Sequence, residues 1–209
     1  MLGYNRCKLI VERALKLTAN TSDKIINYGE GNLYPQEISE LIYASKTASA
    51  AVEKMTENII CEGFKNKEFA EKTNGNGYNM NDILETTAND ISRFKGWAWI
   101  IQYGITSSGY KPVDVYTVPF EYVRAELHDN YRKDPTIKRW RVFNNWLKEN
   151  IKATNVSENS TEYPTYDPDH FAVEVEDYGG LENHPGQLLY VNLGTTRPYP
   201  LSLFHAVRN

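Results

Sequence analysis

Apolar positions recur at intervals of three and four from Ile38 to Ile42, from Ala48 to Ile59 and, most regularly, from Met80 to Phe94. Near Trp97 the pattern changes to the short, β-branched and aromatic runs of strands. The first helix is predicted to open at Pro35, whose missing N–H has no intrahelical use at the first helical position. Tyr34 before it is pushed to an extended, N-cap-like backbone. Glu37 falls in the first turn, and the helix stops near Ser45–Thr47. A second helix starts at Ser45 or Thr47, with Ala48, Ala51, Val52, Met55 and Ile59 spaced at three and four, and ends at Gly63. The third is capped by Asn79 with Asp82 three positions on. It carries Ile83, Leu84, Ala88, Ile91 and Phe94 on one face and ends at Gly96.

Four strands are predicted after it, in "WAWIIQYGI", "VDVYTV", "KRWRVFNNW" and "GQLLYVNL", with "TSSGYKP" as a hairpin loop between the first two. Period two places Trp97 and Trp99 on one strand face, packed on Ile83, Leu84 or Ile91 of the preceding helix. The polar, proline-bearing stretch "KATNVSENSTEYPTYDPD" reads as a surface excursion at about 150–170. The opening residues through Ile26 read as a short strand or helix. Helices first and strands later give an α+β class, with N-terminal helices packed on a mostly antiparallel sheet. The whole chain, 1–209, is one domain, helical over 27–96 and strand-rich over 97–209.

Composition adds little to this picture: 41% hydrophobic and 24% charged residues are ordinary globular usage. Arg6, Lys8, Glu12 and Arg13 interrupt the N-terminal stretch, so neither a signal peptide nor a transmembrane segment is expected, and no membrane partner. Cys7 and Cys61 have no CxxC partner, which fits a reducing compartment. Charge does change the picture. Positions 124–152 hold 8 Lys or Arg against 4 acids, whereas 153–196 hold 8 acids and no Lys or Arg. Adjacent segments of +4 and −8 have the means to pair, within one chain or between copies.

Candidate chemistry is sparse. Gly29-Glu30-Gly31 precedes a helix, but a carboxylate stands where a phosphate would sit, and neither a P-loop Lys nor a third dinucleotide glycine follows. A turn that starts a helix is the expected reading. Asp167, Asp169 and His170 in "DPDH" read as a surface loop before a metal site. "RKDPTIKRWR" has the composition of a nucleic-acid contact, yet a strand divides its charges between two faces. A charged edge strand or an interface is favoured. No cofactor or catalytic group is expected.

The motifs "NYGEGNLYPQEISELI", "IICEGF", "KGWAWIIQYG", "VDVYTVPFEYVRAE", "KRWRVFNNW", "YPTYDP" and "GQLLYVNLGTTRPYPLSLFHA" follow one another in an order that resembles the N-terminal portion of tailed-bacteriophage portal proteins, notably the crAss-like type of Bacteroidetes phages. The resemblance covers roughly residues 25 to 207. It implies a wing-like fold without catalysis and a ring, commonly dodecameric, at one capsid vertex. Implied partners are other portal subunits, the major capsid protein, the terminase that drives DNA through the ring, and adaptor or tail proteins. The implied location is the virion, or the host cytoplasm during assembly. The channel-lining stem lies outside the resembled portion, so direct DNA contact by this segment is not implied. In such a ring the charge asymmetry makes Lys138, Arg139 and Arg141 of one copy candidates to meet Asp167, Asp169, Glu174 and Glu176 of the next. The alternative reading is a small nucleotide- or metal-binding enzyme that uses the Gly29–Gly31 loop or the Asp167–His170 cluster.

Overall fold

The computed structural model describes residues 25–131, 133–146 and 159–207. The expectation for the opening stretch therefore lies, up to residue 24, outside the described residues. Among the described residues, five helices and two small antiparallel sheets make an α+β fold. The helices are α1 (Tyr34–Ala44), α2 (Lys46–Ile60), α3 (Lys67–Glu71), α4 (Met80–Phe94) and α5 (Phe171–Asp177). The strands are β1 (Gly96–Thr106), β2 (Gly109–Val118), β3 (Val123–Ala125), β4 (Arg139–Val142), β5 (Thr161–Pro164) and β6 (Gln187–Asn192). One sheet has the order β2-β1-β6 and the other β3-β4-β5.

Local chemistry accounts for the helix ends. Ser45 caps α2 by accepting from the Ala48 N–H, and Asn79 with Asp82 forms the full reciprocal capping box of α4. Helix α1 begins one residue earlier than expected. Leu33 is the flanking residue, Tyr34 is already helical, and no side chain caps this end. At the far end of α4 it is Lys95, not Gly96, that turns left-handed, with φ 60°. Gly96 meets a different need. A Cβ there would lie 2.6 Å from the Phe120 ring and 2.8 Å from the Val191 carbonyl oxygen.

Strands β1 and β2 form a longer hairpin than the loop "TSSGYKP" implies, with Thr106 opposite Gly109. A bulge interrupts the ladder where Gln102 faces Asp114 and Tyr103 faces Pro112. Strand β2 is the free edge of its sheet, and Lys111, Pro112 and the bulge blunt it against pairing with another chain. Pro119 and the 3₁₀ turn Phe120–Tyr122 then redirect the chain. Consequently β3 starts a second sheet instead of extending the first, and one expected sheet becomes two. Strand β4 is the middle strand of that second sheet, not an edge. The excursion expected at about 150–170 contributes β5, because Thr161–Pro164 pairs with β4 along its length.

The two sheets meet where Thr165 bridges Leu188 in parallel and the Tyr166 N–H donates to the Leu188 carbonyl at 3.0 Å. The main core lies at this junction, with Ile38 and Ile42 of α1, Val52 of α2, Phe94, Ala98, Val118, Phe120, Trp140 and Leu188. A smaller core holds Ile101, Tyr103, Phe171 and Val175. Trp97 and Trp99 are half-buried neighbours with ring centroids 4.4 Å apart. The indole of Trp99 reaches α4 through a 2.9 Å hydrogen bond to the Thr87 hydroxyl.

Arg124 is the only Arg or Lys among the described residues that is fully buried, with 0% exposure. Its Nε donates to Asn32 Oδ1 at 2.6 Å, its Nη1 to the Glu121 and Val123 carbonyls at 2.9 Å, and its Nη2 to the Asn32 carbonyl at 2.8 Å and Gln36 Oε1 at 3.4 Å. The rings of Tyr28 and Trp146 lie 5.6 and 5.2 Å from its guanidinium carbon. Burial lowers its pKa to about 10, which leaves it charged at neutral pH. Around it, Tyr28 and Tyr199 stack at 4.3 Å, and the Tyr199 hydroxyl accepts from the Ala125 N–H while donating to the Ile26 carbonyl. Tyr28 donates in turn to the Pro200 carbonyl.

Replacing Arg124 by Met removes the donors and leaves five carbonyl and amide oxygens short of a partner. A loss of about 3–5 kcal/mol is expected, read as a lower urea midpoint. An unchanged midpoint would show that the guanidinium holds nothing together.

A second expectation concerns Asp90 on α4, which is buried with its carboxylate 3.3 Å from the Phe120 N–H. Burial raises its pKa from 3.8 to about 7, with Arg93 and the Phe120 amide opposing and Glu121 adding to the rise. The folded chain therefore holds a proton that the unfolded chain releases near pH 4, so the contribution of Asp90 to stability falls as pH rises from about 4 to 7. Asp90→Asn should gain on the parent across that window, by up to roughly 4 kcal/mol at pH 7. A pH-independent difference between the two unfolding curves would contradict this.

Candidate functional site

The basic strand β4 alternates. Trp140 points into the main core, while Arg139 and Arg141 share the opposite face. The register sets Arg141 opposite Glu162 on β5, and Glu126 follows directly after β3. Arg141 Nε donates to Glu126 Oε2 at 2.7 Å, its Nη2 to Glu162 Oε2 at 2.6 Å, and its Nη1 to the Ser160 hydroxyl at 3.3 Å. The other oxygen of Glu162 takes Arg139 Nη1 at 2.8 Å. A ladder Glu126–Arg141–Glu162–Arg139 thus alternates in sign across the sheet. The Arg141 side chain is 12% exposed and that of Arg139 54% exposed. The basic and acidic segments therefore meet inside one chain at these residues, which is the within-chain alternative. The reason is geometric: antiparallel pairing sets Glu162 of β5 directly opposite Arg141.

The remaining interface candidates divide in the same way. Glu174, in the first turn of α5, faces inward, where its Oε2 accepts from Gln187 Nε2 at 2.8 Å and lies 3.3 Å from His184 Nε2. His184 Nδ1 accepts from the Gly186 N–H at 3.0 Å, so the ring proton sits on Nε2 and points at the carboxylate. Burial pulls the His184 imidazole below its ordinary value, with Glu174 opposing. Fully buried Gln187 ties this corner together. Its Oε1 accepts from the Tyr103 hydroxyl at 2.8 Å and the Asp167 N–H at 3.1 Å, and its Nε2 also donates to the Asp167 carbonyl. Asp169 and Glu176 are exposed. Exposed Lys138 lies 3.6 Å from Asp134.

Asp167 Oδ2 stands 2.9 Å from His170 Nδ1, and both side chains are largely in solvent. Among the described residues no three His, Cys, Asp or Glu side chains converge to hold a metal ion. The Gly29–Gly31 segment is the turn before α1. Gly29 has φ 80°, and a Cβ there would meet Tyr34 Cβ at 2.6 Å. Its neighbouring amides are used internally, Tyr28 N–H by Asn32 Oδ1 at 2.9 Å and Asn32 N–H by the Gly29 carbonyl at 3.3 Å. No helix among the described residues is long and apolar enough to cross a membrane.

The ladder yields a prediction. Arg141→Met leaves the largely shielded Glu126 without its cation and Glu162 with Arg139 alone. A loss of about 2–3 kcal/mol is expected, with part recovered in the Arg141→Met/Glu126→Gln double variant. Equal urea midpoints for parent and single variant would mean that the ladder is energetically idle. Comparison with protein-family models, with curated proteins and with solved structures finds no match to this chain.

Proposed function

We propose that the chain is a structural, non-catalytic module of the portal type, a wing-like part of a ring at the capsid vertex of a tailed phage through which DNA is packaged and ejected. One observation carries this reading. The separate motifs that resemble portal proteins are the segments that hold one another in place: Asn32 of the first bonds Arg124 of the fourth, and Tyr199 of the last bonds Ile26 and Ala125. Residues shared for the sake of a framework, not of a reaction, fit an assembly protein. On this reading the partners are other portal subunits, the major capsid protein, the terminase and adaptor or tail proteins, and the location is the virion. The side chains exposed enough to meet a neighbour are Lys138, Arg139, Asp169 and Glu176, of which Lys138 and Arg139 also pair at the surface with Asp134 and Glu162, whereas Arg141 and Glu174 are engaged within the chain.

The flanking DNA tests the reading most directly. A large-terminase gene on one side and a major capsid gene on the other are expected, and a metabolic operon would overturn it. For the interface, charge reversal at Lys138 and Arg139 is made in a ring-forming version of the protein. Exposed pairs contribute only roughly 0–1 kcal/mol each, so slower or mis-registered assembly is expected with little change in subunit stability. Unaltered assembly kinetics by light scattering would remove these residues from the interface.

A further inference from the structure

The seam between the two sheets contains a cavity of about 400 Å³ that the described residues leave open. Trp140 of β4 and Tyr190 of β6 form one wall, their rings stacked at 4.0 Å and 20°. Tyr131, Ile137 and Pro198 supply the rest of the apolar lining, and Arg197 stands at the mouth. Arg197 is exposed, its hydrogen bond to the Asn192 carbonyl is long at 3.4 Å, and it pairs with no carboxylate among the described residues. None of the described residues lining the cavity is acidic. Two wall residues also carry buried polar atoms without a partner among the described residues, the Trp140 indole N–H and the Tyr190 hydroxyl.

From these features we infer that the cavity is a binding site for a small aromatic carboxylate, its ring against the Tyr131, Trp140 and Tyr190 wall and its carboxylate on Arg197. The volume falls within the range of ligand pockets, and the lining is mixed, with aromatic and proline side chains beside Asn192 and Arg197. Tyr190 is stacked between Trp140 and Phe120, at 4.0 and 5.0 Å, so this wall offers ring edges to a ligand, and edge contacts between rings still add to simple burial. The guanidinium selects the charge and the planar, two-oxygen geometry of a carboxylate. With no carboxylate in the lining, an anion meets no repulsion there. A neutral ring would leave Arg197 without a partner, and a bare inorganic anion would leave the aromatic wall uncovered.

Phenylacetate is the probe, titrated into the isotopically labelled chain and followed by the Trp140 indole N–H and the Arg197 signals in NMR spectra. Saturable shifts confined to the cavity are expected, in the millimolar range appropriate to a ligand of about ten non-hydrogen atoms. Arg197→Gln, an exposed substitution whose fold the same spectrum checks, should weaken binding about tenfold or more, and Arg197→Lys should restore part of it. Phenylacetamide should bind the parent about as weakly as phenylacetate binds Arg197→Gln. Absence of saturable shifts would overturn the inference. So would equal responses to phenylacetate and phenylacetamide, an undiminished response in Arg197→Gln, or the same shifts produced by inorganic phosphate.

Discussion

A guanidinium buried without a carboxylate has to be surrounded by neutral acceptors, and the arrangement of this chain around Arg124 follows from that requirement. Carbonyl and amide oxygens from the turn before α1, from the first turn of α1 and from the 3₁₀ turn between the sheets all point at one side chain. None of those segments could shift without exposing a charge to an apolar surrounding, which is far costlier than exposing a methyl group. The turn Gly29–Asn32 is therefore shaped by what its oxygens must do. The stacked tyrosines 28 and 199 close over the same charge and leave no route for water, which makes every bond to it stronger than it would be in solvent.

Much of the helical half was legible in the sequence because its signals are local. The capping box at Asn79 and Asp82, the cap at Ser45 and the proline of α1 each act within a few residues, and each does so in the structure. Strands β1, β2, β4 and β6 were legible from composition. What escaped depends on partners distant in sequence. Strand β5 is only four residues of polar character, and its existence rests on β4 lying beside it. The helices α3 and α5 are too short for periodicity to register. Arg124 left one trace, a charge between the apolar Val123 and Ala125, which alternation alone would have placed in solvent.

The charge asymmetry shows how a sequence-level quantity divides once the chain has folded. Part of the imbalance between positions 124–152 and 153–196 is cancelled where Glu162 bridges two arginines, and part is withdrawn where Glu174 turns toward His184 and Gln187. What remains outside is smaller and more scattered than the totals of +4 and −8 imply. Any electrostatic steering between copies would act through that remainder and weaken steeply with ionic strength. The acids on α5 illustrate the point, since neighbours in sequence such as Glu174 and Glu176 serve opposite environments.

The hydroxyl of Tyr199 reaches back 173 positions to the Ile26 carbonyl. A ribosome adding about 5–20 residues per second needs on the order of ten to thirty seconds to make that span. Throughout that interval the Tyr199 half of the lid over Arg124 does not yet exist. The helical half can assemble locally as it emerges, but the central charge is sealed only after the last strand and the segment beyond it have left the exit tunnel. Closure over Arg124 is therefore governed by long loop closure rather than by local propensity, and the helical half waits, open to chaperones and proteases, until Tyr199 has emerged.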